Sequence, residues 1–291
     1  MRLRESKRYS FTACCPNVVW FDLDGAIRME LTDIQAQFLE TKRARLAYLR
    51  ARPLDELREE ALNERESASN YLLRKALARQ DRLNIIAEIK RASPWQGVVQ
   101  SEIEPAEMAL AYSDRGAAAI SVWTEDRDFH GSCDDLLVVR AAVSLPVLRK
   151  DFITEPRQIY ETAVAGADAA LLIAAALDEE TLALLRRITE EELGLDALVE
   201  VQNANEMLRA HAMGATLIGV NNRNQSTLDV SLDVSVEVAR MAPKDVLLVS
   251  ENGLRTKKHL RGLRALGYKG FLLEDSLSGN GGDSFSSESF L

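Results

Sequence analysis

The sequence is poor in the residues that build disulfides and metal sites. It has three cysteines (Cys14, Cys15 and Cys133) and three histidines (His130, His211 and His259). No CxxC pair occurs among them, so neither a disulfide framework nor a Cys/His zinc site can be assembled. Reduced thiols fit an intracellular protein, with the cytoplasm as the expected location. An excess of basic charge is also lacking. Lysine and arginine total 36 against 45 aspartates and glutamates, a formal net charge of -9, which argues against a protein that coats nucleic acid. A local basic cluster can still hold a small anionic substrate inside an acidic chain. Long hydrophobic runs are missing too. The longest uncharged apolar stretch, Ala169 to Leu177, falls far short of the roughly 20 residues that span a bilayer, so no membrane partner is expected. The opening MRLRESKRYS is basic, but no apolar segment of about 7–15 residues follows, which argues against a secretory signal. A plastid address is the alternative to the cytoplasm.

What is present suits a single (β/α)8 barrel, which takes about 250 residues. The chain has 291 residues, 46% of them hydrophobic and 28% charged, ample for one core with a charged surface. Residues 1–27 show no clear periodicity. From Met29 to about Ala78, Leu31, Ile34 and Phe38, then Leu46, Leu49, Leu54, Leu57 and Leu62 recur at helical spacing, which predicts an amphipathic N-terminal extension. After Arg82 come eight short apolar runs: NIIAEIK, AAAISVWT, LPVLRKDF, AALLIAA, DALVEV, TLIGVNN, DVLLVSEN and GFLLEDSL. Helical stretches separate them, among them Glu104–Arg115, Glu155–Ala165, Glu179–Leu193, Ala204–Met213 and Thr256–Leu266. Strands that alternate with helices and are apolar at nearly every position indicate buried parallel βαβ units.

Gly116, Gly166, Gly214 and Gly267 each stand shortly before a strand, where a left-handed helix C-cap suits glycine. That recurring cap favours a closed barrel. A doubly wound open sheet is the rival, weakened because no strand is followed by GxGxxG or a Walker loop. The fold expected is therefore an α/β TIM barrel over residues 28–277, extension included. Residues 278–291, SGNGGDSFSSESFL, are Gly/Ser-rich and predicted to be disordered. They leave the eighth helix apparently missing and a barrel edge open to a partner or to self-association.

Catalytic groups of such barrels gather at the C-terminal ends of the strands. The first strand ends in Glu88 and Lys90, two apart and so on one face. Others end in Lys150, in Glu200, in Asn221 with Arg223, and in Glu251 with Asn252. Charged groups inside apolar strands are costly unless paired or used, and so many at one end of several strands point to a shared site. Two lysines and several carboxylates around one cavity equip it for proton transfer on an anionic substrate, with a phosphate expected near the last two strands.

The strings IIAEIKRASP at 85–94, SVWTEDRDFHGS at 121–132, LRKDFI at 148–153, QIYE and GADAALLI within 158–173, LVEV at 198–201, GVNNRN at 219–224 and VSENGL at 249–254, in that order, resemble the indole-3-glycerol phosphate synthase family. The resemblance implies a TIM barrel and a cofactor-free enzyme of tryptophan biosynthesis. That enzyme closes the ring of 1-(2-carboxyphenylamino)-1-deoxy-D-ribulose 5-phosphate, with loss of CO2 and water. Residue by residue, it implies that Lys150 is the general acid of ring closure and that Glu200 assists proton transfer. Lys90 would contact anionic groups and serve as an acid in dehydration, with Glu88 as its partner. Asn221 and Arg223 would orient the substrate. Ser93, Phe129 and Phe152 would lie about the aromatic ring, and Glu251, Asn252 and Gly253 would complete substrate binding.

The chain also departs from the family. Glu274 and Asp275 stand where the family has glycine and a neighbour that approach the phosphate, Asn252 replaces a serine, and Trp95 and Gln225 replace a small residue and a leucine. A carboxylate about 4–5 Å from a phosphate costs on the order of 3–4 kcal/mol at an effective dielectric near 20, or roughly 100-fold in affinity. The competing expectation is thus an impaired or non-catalytic homologue. An isomerase on the same barrel would have no reason to carry AEIK and KDF together. VVWFDLDGA at 18–26, with Asp22, resembles the first motif of haloacid-dehalogenase-type phosphatases, but no room is left for that domain's core.

Overall fold

A computed structural model describes residues 46–274 apart from 48, 95–96 and 99–103. Asp22 and its motif, the first part of the helical extension, Trp95, Asp275, the Gly/Ser tail and any eighth helix lie outside the described residues. Eight parallel strands follow the eight apolar runs: β1 Ile85–Ile89, β2 Ala119–Trp123, β3 Val147–Lys150, β4 Ala169–Ile173, β5 Asp196–Val201, β6 Leu217–Asn221, β7 Leu247–Glu251 and β8 Gly270–Leu273. Each pairs with the next. β8 returns to pair with β1, placing Phe271 beside Ile85, and the ring is closed. The expected open edge is therefore not an edge of the sheet, because β1 has a strand on both sides.

The described helices are α1 Leu54–Arg65, α2 Leu72–Leu77, α3 Pro105–Asp114, α4 Cys133–Ala142, α5 Pro156–Val164, α6 Glu179–Arg187, α7 Ala204–Ala212, α8 Asp233–Met241 and α9 Lys257–Ala265. Ser132, Asp178, Asn203 and Thr256 start four of them by accepting a backbone N–H three residues on, worth about 1 kcal/mol each. The four inter-element glycines take φ of 89°, 77°, 89° and 107°, as the predicted caps require. Outward strand residues such as Ile120, Val122, Val199 and Ile218 are buried beneath the helices, while Ile86, Leu148, Leu198 and Leu272 fill the barrel axis.

Three local differences have physical causes. The helix expected over Glu179–Leu193 stops at Arg187 and widens into a π turn over Ile188–Glu192. There the buried Glu190 ion-pairs with Arg74 and Arg186. Leu54, expected on the buried stripe, is 38% exposed, because the inward face of α1 is made by Leu57 and Ala61 with Leu62 beside them. α4 shows no clear stripe in its sequence because the four consecutive apolar residues Leu136 to Val139 span both faces, with Leu136 and Val139 buried and Leu137 and Val138 left on the surface.

The floor of the barrel is closed by α2. Leu73 and Leu77 enter the axial core, and a Cβ on Gly270 would lie 3.0 Å from Leu77. Arg74, on the same helix, ion-pairs with Asp196 at the start of β5. Leu77→Ala is expected to cost about 2–5 kcal/mol, read as a lowered denaturant midpoint with an unchanged slope.

Candidate active site

Side chains of a strand alternate between its two faces, and the axial residues of each strand continue into its C-terminal end. Ile86 is followed on that face by Glu88 and Lys90, Leu148 by Lys150, Leu198 by Glu200, Gly219 by Asn221, Val249 by Glu251, and Leu272 by Glu274. The register places Lys150 beside Trp123, Glu200 beside both Ile173 and Gly219, and Glu251 beside Asn221 and Leu272. Local apolar sequence thus carries polar tips to one mouth. Glu88, Lys150, Glu200, Asn221, Arg223, Asn252 and Glu274 line a single cavity there.

Lys150 is at its centre and 4% exposed. Its Nζ donates to Glu251 Oε2 at 3.0 Å and to Glu88 Oε2 at 3.2 Å, and lies 5.3 Å from the centre of the Trp123 ring. Burial alone would loosen its proton, but Glu251, Glu88 and Glu200 outweigh burial and hold the ammonium well above the ordinary lysine range. The carboxylates are pushed apart. Burial opposes ionisation of Glu88, yet Lys150 and Lys90 together hold it below the usual carboxylate range. Burial and then the charge of Glu251 raise Glu200 to about 7. Burial also raises Glu251, against the pull of Lys150. Carboxyls with opposed shifts in one cavity are suited to divided acid and base roles.

A relay of amides holds Glu200. Asn252 Nδ2 donates to Asn221 Oδ1 at 2.7 Å, and Asn221 Nδ2 donates to Glu200 Oε1 at 3.0 Å. Gln225 adds a second donor to the same oxygen at 3.1 Å. Behind Lys150, the outward-facing Arg149 is buried and bonded to Asp151 (3.0 Å), Glu161 (2.8 Å) and Thr124 (2.9 Å), which fixes the end of β3. The apolar wall is aromatic. Trp123 and Phe129 stack with ring centres 3.7 Å apart, and Phe152 tilts across both.

Glu88, Lys150, Glu200, Asn221 and Glu251 are therefore brought together, with Phe129, Phe152, Arg223 and Asn252 around them. The expected pairing of Glu88 with Lys90 is present at 3.5 Å, and the other oxygen of Glu88 pairs with Lys150 at 3.2 Å. Lys90 sits just past the end of β1 and reaches Glu274, just past the end of β8, at 2.8 Å. Ser93 is buried in a short hairpin of Ala92–Ser93 with Gly97–Val98, and neither it nor Gly253 is among the cavity-lining side chains. Trp123, Gln225 and Leu228 line the cavity without having been singled out as site residues. Trp123 was legible in principle, since it follows Ala119 and Ser121 on the axial face of β2.

Gly219 carries a packing constraint. A Cβ there would lie 2.1 Å from Glu251 Oε1, so alanine must drive that carboxylate off its present position beside Lys150. Gly219→Ala is expected to lower turnover about tenfold, at a folding cost of about 1–3 kcal/mol. Steady-state kinetics alongside thermal unfolding separate the two effects.

Comparison with known proteins agrees with the geometry. The family model described as indole-3-glycerol phosphate synthase matches residues 35–284. Proteins of that name from Carboxydothermus hydrogenoformans and Mycolicibacterium smegmatis are each 46% identical to this chain. The first alignment covers 70% of this chain and 79% of the relative, the second 78% and 82%. One from Parafrankia sp. is 50% identical over 64% of this chain and 69% of its own. Among solved structures, an N-acetylmannosamine-6-phosphate 2-epimerase from Clostridium perfringens superposes with a TM-score of 0.54. It is 13% identical and covers 71% of this chain and 92% of its own, a likeness of fold alone.

Proposed function

The chain belongs to the indole-3-glycerol phosphate synthase family, and from that premise we propose that it catalyses the decarboxylating ring closure of 1-(2-carboxyphenylamino)-1-deoxy-D-ribulose 5-phosphate to indole-3-glycerol phosphate, CO2 and water. The observation that carries this reading is one buried ammonium, Lys150, held between Glu88 and Glu251 in the cavity that also presents Glu200. In ring closure the ring carbon that bears the carboxylate bonds to the ribulose carbonyl carbon. The carbonyl oxygen takes up a proton, and CO2 leaves as its bonding pair returns to the ring. The developing alkoxide is more basic than any lysine, so an ammonium held firmly protonated is the suited donor. Lys150 fills that role.

Dehydration then needs an acid for the departing hydroxyl and a base for the proton on the neighbouring carbon. Glu200, with a pKa of about 7, is close to balance between its two forms at neutral pH, which favours proton exchange. Lys90, with Glu88 nearby, contacts anionic groups and serves as the acid for water loss. Trp123, Phe129 and Phe152 stack about the aromatic ring of the substrate and keep water from it. The reaction is redox-neutral, so side-chain proton transfer accounts for it without a cofactor. A cytoplasmic location completes the proposal. Among the described residues no helix is long and apolar enough to cross a membrane.

The test is fluorescence-detected formation of indole-3-glycerol phosphate by the purified chain. Steady turnover is expected. A folded, monodisperse chain that leaves the substrate unchanged would remove the proposal.

A further inference from the structure

Glu274 is the residue just after β8, and the same alternation that points Gly270 and Leu272 at the barrel axis turns its side chain into the cavity. Its Oε2 accepts from Lys90 Nζ at 2.8 Å and lies 3.8 Å from Arg223 Nη2. Lys90 is 5% exposed, and the side chain of Glu274 is 16% exposed. Two cations from different strands thus converge on one carboxylate at the end of the barrel where the last strands face a ligand. Glu88, Glu200, Arg223 and Glu274 line the cavity, and Lys150 is engaged by Glu88 and by the buried Glu251. Lys90 also pairs with Glu88 at 3.5 Å, so Glu274 is the carboxylate that Lys90 and Arg223 share. An anionic group that takes both cations must displace Glu274.

We propose that Glu274 is a resident counter-anion: its carboxylate occupies the position on Lys90 and Arg223 that an anionic group of the substrate takes, and it determines how tightly this chain holds that group. The inference rests on reading the cavity as the substrate site, and it goes further by assigning specificity to the side chain that follows β8. Glu274 does not simply repel a neighbouring phosphate, as the sequence suggested. It competes for the same two cations, so an incoming anion binds only as the glutamate swings off Lys90. A dianionic group, which can engage both cations at once, displaces it more readily than a monoanionic one.

The experiment is a titration of the full-length chain with inorganic phosphate, at fixed ionic strength, by calorimetry. The parent, Glu274→Gln and Glu274→Gly are compared. Glutamine keeps the size and removes the charge, and glycine removes the side chain. Both variants are expected to bind phosphate at least about tenfold more tightly than the parent, the scale of one partly screened charge pair lost near the ligand. Lys90→Met in the Glu274→Gln background is expected to abolish that gain. Equal affinity in the parent and both variants would overturn the proposal. So would an absence of phosphate binding in all three, since Lys90 and Arg223 would then form no anion site. Phosphate binding requires no turnover. Loss of product formation with the phosphate response intact would therefore count against the catalytic reading alone.

Discussion

Lys150→Met is expected to lower kcat by about 10²–10⁴-fold, the span usual for a positioned general acid, with KM changed only a few-fold. Methionine matches the length of the stem and keeps its packing against Trp123, but it removes the ammonium. The change also leaves Glu88 and Glu251 side by side in a buried cavity without the charge that holds them. An uncompensated buried carboxylate costs several kcal/mol unless it takes up a proton. The variant should therefore bind protons at Glu88 or Glu251 as it loses turnover. Steady-state kinetics and thermal unfolding together read this. A variant that kept turnover within a factor of two of the parent would remove Lys150 from the acid role.

Glu200→Gln is the second large effect. In the parent, the pKa of about 7 predicts that kcat/KM rises with pH through that value, because a carboxyl must be ionised to accept a proton and kcat/KM reports the free enzyme. Glutamine should lower kcat/KM by about 100-fold or more and abolish that limb. It preserves the oxygen that accepts from Asn221, so the amide relay survives.

Stability should move the other way. Raised from an ordinary 4.5 to about 7, this carboxyl binds its proton more tightly in the folded than in the unfolded chain. The stability it contributes is complete below about pH 4.5 and lost as pH climbs through about 7. A neutral glutamine avoids the loss. The variant should match the parent near pH 5 and exceed it near pH 8 by up to about 3 kcal/mol. A catalytic defect joined to a gain in stability at high pH is not what a merely structural residue would show.

Much of the barrel was legible because its signals are local. Eight runs apolar at nearly every position marked eight strands buried on both faces, and the polar residue that ended a run marked what reached the mouth. Glu88, Lys150, Glu200, Asn221 and Glu251 are legible as polar groups at the C-terminal ends of those runs. What the runs cannot supply is the pairing between strands, which depends on register and stagger around the ring. The expected pair of Lys90 and Glu88 is there, but the second partner of each, Glu274 for Lys90 and Lys150 for Glu88, is set by register. The π turn after α6 was hidden for a similar reason. Its cause is Glu190 reaching a distant arginine on α2, a contact that nothing in the intervening sequence announces. Trp123 carries no charge to mark it at a strand end. Its role in the wall emerges only when Phe129, from the following loop, folds back to stack on it.

The central claim is that strand ends far apart in sequence create one carboxyl near neutrality beside a permanently charged ammonium. A carbon-13 NMR titration of the glutamate carboxyls, parent against Glu200→Gln, measures this most directly. The account predicts one resonance in the parent that titrates near pH 7 and vanishes in the variant. Glutamate carboxyls that all titrate in the ordinary range near 4.5, with Glu200 among them, would contradict it.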